Sequence, residues 1–257
     1  MVYPGLQAQD LGFHPPLSHR SFLQGVSLQV EPGQVQWVVG ATGSGKTLAL
    51  KLLSGLLAPT TGCLSFQGRS IEDWELPSWR RSIVYLASQP QLLGLSVAEN
   101  LAYPLQLQNL DATTQIDRQA EILELLQLSP QILSATAPLL SRFQHQQVAL
   151  ARALMLHPTL ILLDNPFAGW PAAEVQPLWS ALQTWVQAQR LGVIWATDEL
   201  PSCLQGDPSL ATAYLLHHSH WTTPAALGLT PDDLSPWLQA EQAAIAAEWG
   251  EWEGDRI

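Results

Sequence analysis

A phosphate-binding loop pattern near residue 40 restricts this chain to a small set of folds. Residues 40–47 read GATGSGKT and fit the pattern GxxxxGK[ST]. The β-prone segment VQWVV precedes the loop, and leucines at helical spacing over 47–57 predict a helix after it. A strand, a glycine-rich loop and a helix in this order predict an α/β fold.

The residue types of this loop suit the phosphate chain of a nucleotide. Glycines at 40, 43 and 45 let successive backbone N–H groups converge on phosphate oxygens at the positive end of a helix. Lys46 adds a positive charge near the terminal phosphates, and the Thr47 hydroxyl is a ligand for Mg²⁺. The alternative is a glycine-rich turn with an incidental lysine, which the flanking strand and helix disfavour. The predicted phosphate-binding residues are Gly40, Ala41, Thr42, Gly43, Ser44, Gly45, Lys46 and Thr47.

The rest of the sequence predicts a sheet interrupted by a helical insertion. Strands are indicated at 21–30 and 35–39, as a hairpin or a strand-turn-strand, and at 63–66, 83–87, 159–163 and 192–197. The last three are continuous apolar runs, which are typical of parallel strands covered on both faces. The sheet is therefore expected to be mostly parallel.

Helical periodicity accounts for most of the remaining chain. Helices are predicted at 97–108, 116–128 and 141–157, within a lobe of about 90–157, at 171–190, and at 232–249 within a C-terminal extension of about 230–257. No internal repeat or extended linker divides the sequence. We therefore expect one domain over 1–257.

Charge and composition argue against several classes of function. Lysine occurs only at Lys46 and Lys51, and the formal net charge is −11, so nucleic acid is disfavoured as a partner. The two cysteines, Cys63 and Cys203, lack the spacing of a metal site or a redox pair. No run of 18 apolar residues and no secretory signal is present, which predicts a cytoplasmic protein.

Motifs downstream of the loop resemble those of the ABC ATPase family. Leu140 and Ser141 are followed by VALARAL at 148–154, and then the apolar strand of TLILLDNPFAGW ends at Asp164. The family shows LSGGQ, a helix often reading VALARAL, and an apolar strand ending in Asp-Glu-Pro, in the same order. The resemblance covers approximately 22–216. It implies a P-loop NTPase core with a mostly parallel sheet, an N-terminal antiparallel β portion and an inserted helical lobe.

The same resemblance implies ligands and partners. ATP and Mg²⁺ would be the cofactors, with Thr47 and Asp164 holding the metal. A membrane permease would dock beside the lobe near Val97, and the chain would pair as a homodimer or as a heterodimer with another ABC ATPase subunit. Its place would be the cytoplasm, at the inner face of the cell membrane. The segment 90–108 is similar to small bacterial exporters of the iron-export type.

Three catalytic positions of the family are substituted in this sequence. The glutamate that activates the attacking water corresponds to Asn165, whose amide accepts no proton at neutral pH. The histidine that contacts the γ-phosphate corresponds to Asp198, and the Q-loop glutamine corresponds to Ser88, unless Gln89 serves after a one-residue shift. We expect slow hydrolysis or none, because general-base catalysis contributes about 10²–10⁴-fold. The alternative is that a nearby carboxylate replaces the glutamate.

Positions that complete the family's composite sites are changed as well. The signature LSGGQ reads LSRFQ, so Arg142 and Phe143 add bulk where glycines permit close backbone contact with phosphate. The loop at 168–171 reads AGWP where the family usually ends in Leu-Asp. For stacking on the nucleotide base, Phe13 is the predicted residue and His14 the second choice.

Two functions, and a less favoured third, are compatible with these patterns. The first is the ATP-binding subunit of a transporter, and the second is a non-hydrolysing regulatory module that binds a nucleotide within a larger complex. The third is a soluble ABC protein in translation or DNA repair, which is disfavoured because a second nucleotide domain, a zinc insertion and a basic surface are lacking.

Overall fold

A single ten-stranded sheet forms the centre of the molecule. The structure is a computed structural model, and it describes residues 5–15, 22–108, 110–200, 210, 212–217 and 220–254. The strands are β1 (Leu6–Phe13), β2 (Leu23–Val30), β3 (Val35–Val39), β4 (Thr61–Phe66), β5 (Arg69–Ser70), β6 (Ile83–Leu86), β7 (Leu160–Asp164), β8 (Gly192–Thr197), β9 (Tyr214–His217) and β10 (His220–Thr222). Their order across the sheet is β5-β4-β1-β2-β10-β9-β3-β8-β7-β6. The mixed α/β class predicted from the sequence is confirmed.

The strands nearest the phosphate loop are parallel, as their continuous apolar runs predicted. β3 pairs with β8, β8 with β7, and β7 with β6. Every residue of β7 and β8 is buried. Because parallel strands end at the same edge, residue 40, Asp164 and Asp198 meet at the carboxyl edge of the sheet.

The helices cover the two faces of this parallel part. They are α1 (Lys46–Leu53), α2 (Leu76–Ser82), α3 (Val97–Gln106), α4 (Ala112–Leu125), α5 (Arg142–Leu154), α6 (Ala172–Gln189) and α7 (Leu234–Gly254). Side chains of α1 pack on one face with Val38 and Leu162, whereas α5 and α6 pack on the other with Trp37 and Leu163. Neighbouring residues of one strand thus enter opposite cores, which explains why these strands show no polar alternation.

The other half of the sheet is antiparallel, as expected. β1 pairs with β2 and β4, and β4 pairs with β5. β1 was not predicted, because Asp10 has φ +49° and breaks both the register and the apolar alternation. β2 and β3 are separated by β10 and β9, so the hairpin alternative for the turn at 31–33 is wrong and the strand-turn-strand is correct.

Several helix boundaries differ from the sequence predictions. α1 ends at Leu53 rather than at 57, because Gly55 adopts φ +68° directly after it. α7 follows a capping box at Thr230 and continues to Gly254, beyond the predicted end at 249. None of the helices in the described ranges has the length and hydropathy that a bilayer span requires.

Candidate functional site

The loop between β3 and α1 has a tightly curled backbone. Gly43 and Gly45 have φ of +83° and +106°, a region that glycine enters without a steric penalty. A Cβ atom at Gly40 would lie 2.8 Å from the carbonyl oxygen of Leu216. The sequence therefore needs glycine at these points to form the concave nest of N–H groups that binds phosphate.

A cavity of about 470 Å³ opens beside this loop. Its lining comes from separate parts of the chain that the sheet brings together: Phe22, Thr42, Gly43, Gly45, Lys46, Thr47, Leu48, Lys51, Ser88, Asp164, Asn165 and Asp198. The predicted metal residues and all three substituted catalytic positions are therefore in one cavity. Sequence reasoning missed Phe22 and Lys51 as lining residues.

One side of the cavity presents oxygen ligands suited to Mg²⁺. Thr47 Oγ1 donates to Asp164 Oδ2 at 2.7 Å, and the Tyr85 hydroxyl donates to the same oxygen at 3.0 Å. Burial and the Asp164 charge raise the pKa of Tyr85, so its hydroxyl stays protonated and fixes the carboxylate. The sequence signal for Tyr85 was its position as the one polar-tipped side chain in the strand IVYL.

Lys46 is held within the loop by backbone oxygens. Its Nζ donates to the carbonyl oxygens of Gly40 at 2.7 Å and Ala41 at 2.8 Å. Burial lowers the pKa of Lys46, while the charges of Asp198 and Asp164 raise it. The ammonium is thus fixed at the loop, where it interacts electrostatically with the carboxylates of Asp198 and Asp164.

The substituted catalytic positions contact each other. Asn165 Nδ2 donates to Asp198 Oδ1 at 2.5 Å, and Thr42 Oγ1 donates to Asp198 Oδ2 at 2.7 Å. Asn165 has φ +48°, a left-handed conformation that asparagine tolerates better than most side chains. The carboxylate of Asp198 therefore joins the phosphate loop to the residue that follows Asp164.

The loop also contains a polar atom that suits an additional ligand. Ser44 is 6% exposed, and within the described part of the chain its Oγ has no hydrogen-bond partner. Buried polar atoms in proteins normally have a hydrogen-bond partner, so one without a partner is uncommon. Together with the glycine nest, Lys46, and the Thr47–Asp164 pair, this hydroxyl fits a magnesium nucleotide. When bound, the metal would supply charge neutralisation for the phosphates.

The remaining residues predicted to contact the nucleotide differ in whether they line this cavity. Ser88 lines the cavity, whereas its neighbour Gln89 is exposed and does not. Phe13 lies at the end of β1, partly buried against the core of the antiparallel strands, and is not among the cavity-lining residues. Phe22, 52% exposed, lines the cavity instead, and its N–H donates to the Phe13 oxygen at 3.0 Å. His14 is exposed and forms no part of the lining.

The altered signature forms the start of α5. Ser141 caps the helix in a reciprocal pair with Gln144, and Arg142 is exposed. Phe143 packs on Trp170 with ring centroids 4.1 Å apart, and Phe167 links Trp170 to the sheet. Aromatic contacts therefore fix the segments at 140–144 and 168–171 within this chain.

A second cavity of about 530 Å³ lies between α2, β6 and the helical lobe. Tyr103 of α3 and Leu107, which follows the end of α3, line it and are 46% and 63% exposed. Arg80, Arg81 and Arg152 also line this cavity, which we call the lobe groove. An apolar floor with basic neighbours is suited to a partner segment that carries apolar and acidic side chains.

Comparison with known proteins identifies the family of this chain. The family model described as ABC transporter matches residues 23–168. The chain belongs to the ABC transporter family. Within the ABC transporter family it corresponds to the ATP-binding subunit, whose ligands are ATP and Mg²⁺, as the sequence predicted.

Two similar proteins of the ABC transporter family have names that give opposite directions of iron transport. The probable iron export ATP-binding protein FetA of Escherichia coli (strain K12) is 27% identical over 76% of this chain and 85% of FetA. The Fe(3+) ions import ATP-binding protein FbpC 2 of Rhodococcus jostii (strain RHA1) is 32% identical over 83% of this chain. The chain spans only 61% of the length of that second relative.

Solved structures from the ABC transporter family share the fold. An ATP-binding subunit of an ABC transporter has a TM-score of 0.75 and 22% identity, over 91% of this chain and 99% of that one. CbiO1 from Clostridium perfringens, part of the transporter complex cbiONQ, has a TM-score of 0.74 and 19% identity over 90% and 92%. The predicted P-loop NTPase fold, with its antiparallel portion and helical lobe, is thereby confirmed.

Proposed function

We propose that this subunit binds ATP with Mg²⁺ through residues 40–47 and hydrolyses it slowly or not at all. The observation that carries the proposal is the contrast between a complete phosphate loop and the contact of Asn165 with Asp198. An amide and a carboxylate at these positions provide neither the proton acceptor nor the γ-phosphate donor of the family. Ser88 stands at the Q-loop position, so the family's glutamine is a third catalytic residue that this chain lacks.

The nearby carboxylate that would replace the glutamate is Asp198. Both of its oxygens accept hydrogen bonds, from Asn165 and from Thr42. Each oxygen is therefore already engaged by a donor of this chain, which leaves fewer lone pairs for an attacking water. This geometry supports slow turnover rather than a relocated general base.

Replacing Lys46 with alanine is expected to abolish binding of a fluorescent ATP analogue, because the loop loses the ammonium that faces the phosphates. A titration in the presence of Mg²⁺ measures the dissociation constant. Arg69→Ala, which removes one positive charge from exposed β5, is the control and is expected to bind as the unmodified chain does. Equal binding by Lys46→Ala and the unmodified chain would overturn the nucleotide assignment.

The proposed setting is the cytoplasmic face of the cell membrane, with the chain docked to a membrane permease. Support comes from the lobe groove, whose exposed Tyr103 lies on the helix that includes Val97 and whose exposed Leu107 follows the end of that helix. The partner segment would be apolar with acidic residues, to match Arg80, Arg81 and Arg152. We propose one domain over 1–257, with the lobe at about 90–157 and the extension at about 230–257, pairing as a homodimer or with another ABC ATPase subunit.

A Tyr103→Asp/Leu107→Asp variant is expected to lose the permease on affinity purification from native membranes, with recovery falling at least about tenfold. Two buried carboxylates in an apolar contact carry a large desolvation cost. Ile116→Asp is the matched control, since Ile116 is 66% exposed on α4 and lies outside the groove. Recovery of unmodified chain solely from the soluble fraction, without a permease, would contradict this assignment.

The alternative function is a non-hydrolysing regulatory module in a membrane or soluble complex. The contact between Asn165 and Asp198 favours it, because loss of catalysis need not impair nucleotide binding. Permease capture combined with nucleotide-dependent transport supports the transporter subunit. Capture of a complex whose activity is unaffected by ATP turnover supports the module.

A further inference from the structure

The Asp198 carboxylate occupies a fixed position at the phosphate end of the cavity. Its two oxygens accept hydrogen bonds from Thr42 at 2.7 Å and Asn165 at 2.5 Å. Its backbone oxygen accepts a hydrogen bond from Gln242 of α7 at 2.5 Å. Two residues therefore hold the carboxylate, Thr42 and Asn165, and the Asn165 N–H in turn donates to the oxygen of Ala196 in β8.

Two carboxylates and two lysine side chains line the cavity, from Asp164, Asp198, Lys46 and Lys51. Asp164 and Asp198 both line the cavity and both act electrostatically on Lys46. Asp164 pairs with Thr47, and Mg²⁺ held by these two residues would offset the Asp164 charge. Asp198 contacts Thr42 and Asn165 instead, and it makes no hydrogen bond to Thr47 or Asp164 within the described residues.

We propose that Asp198 sets the nucleotide preference of this site, so that a nucleoside diphosphate binds more tightly than the triphosphate. The inference rests on the proposed nucleotide-binding function. In the family the residue at this position contacts the γ-phosphate, and a carboxylate there repels that group by like charge. The glycine nest and Lys46 would still attract the α- and β-phosphates, so a diphosphate would keep these interactions without placing a γ-phosphate beside Asp198.

Asp198→Asn tests this inference with little change of shape. The new amide oxygen still accepts from Asn165, and the new amide nitrogen donates to the Thr42 hydroxyl, so the bridging contacts are retained while the charge is lost. Glu199→Gln removes one negative charge from the next residue, whose exposed side chain lies outside the cavity lining. This second variant controls for net charge.

The experiment is calorimetric titration of the full chain and both variants with MgADP and with MgATP. The unmodified chain is expected to bind MgADP about tenfold more tightly than MgATP, a difference of about 1.4 kcal/mol. Asp198→Asn is expected to bring the two affinities to within about threefold, mainly by tightening MgATP, whereas Glu199→Gln leaves the ratio unchanged.

Equal affinities for the two nucleotides in the unmodified chain would overturn the preference while leaving the nucleotide site intact. The same ratio in Asp198→Asn as in the unmodified chain would show that Asp198 does not set it. Equal binding of either nucleotide by Lys46→Ala and the unmodified chain would instead remove the proposed function, and the preference with it.

Discussion

Restoring four family residues together, as Asn165→Glu/Asp198→His/Arg142→Gly/Phe143→Gly, is expected to raise phosphate release about 100-fold or more, whereas Asn165→Glu alone changes it by less than about threefold. A general base contributes about 10²–10⁴-fold, and oriented donors to developing charge contribute about 10²–10³-fold. Such contributions are not additive, so one restored group recovers little.

The structure gives two further reasons why the single reversion fails. Asn165 donates to Asp198, and a glutamate at 165 would place a second carboxylate beside the first. Two adjacent carboxylates cannot both ionise without a raised pKa. Residue 165 also has φ +48°, which disfavours glutamate relative to asparagine.

Steady-state phosphate release under saturating MgATP, in the presence of the dimer partner, measures this effect. Asn165→Gln is the control, because it matches the glutamate in length without the charge. Recovery of near-normal family turnover by Asn165→Glu alone would contradict the account, since it would show that Asp198 and the altered signature do not limit catalysis.

Replacing Trp79 with alanine is expected to lower the free energy of unfolding by about 3–5 kcal/mol, since it empties a large, fully buried site. Trp79 of α2 packs on Phe66 and Trp74, with ring centroids 6.0 Å away in each case. Its Nε1 also donates to the Ser54 oxygen at 2.9 Å, directly after the helix that begins at Lys46. The loss therefore also loosens the support of the phosphate loop.

Urea unfolding followed by tryptophan fluorescence and circular dichroism measures this loss. Leu139→Ala is the control, because Leu139 is 75% exposed and its truncation is expected to change stability by less than about 0.5 kcal/mol. A change below about 1 kcal/mol in Trp79→Ala would show that the region repacks around the missing ring.

Patterns of neighbouring residues predicted the strands, loops and helices whose formation depends on nearby sequence. The phosphate loop, β3 and the buried parallel strands follow from glycine placement and apolar runs, which need no knowledge of distant residues. The helix predicted at 141–157 is similarly local, and in the structure it begins after Ser141 with a capping box to Gln144. β1 and the end of α1 were missed or misplaced because Asp10 and Gly55 adopt positive φ, which sequence periodicity does not reveal.

The contacts within the site depended on tertiary structure instead. Asp198, Asn165 and Thr42 come from three separate segments, so their hydrogen bonds could not be read from spacing. The hydrogen bond from Tyr85 to Asp164 could not be read from spacing either. Phe22 was missed because the sequence does not show that its N–H donates to the oxygen of Phe13, the residue predicted instead. The stacking roles of Phe13 and His14 remain predictions.

The most direct test of the central claim is phosphate release by the purified chain at a MgATP concentration at which binding has been demonstrated, with Lys46→Ala as the background. We predict nucleotide binding with phosphate release close to that background, because Asn165, Asp198 and the altered signature lie in the same chain. Turnover of roughly one per second, within the ordinary range of enzymes, would contradict the account.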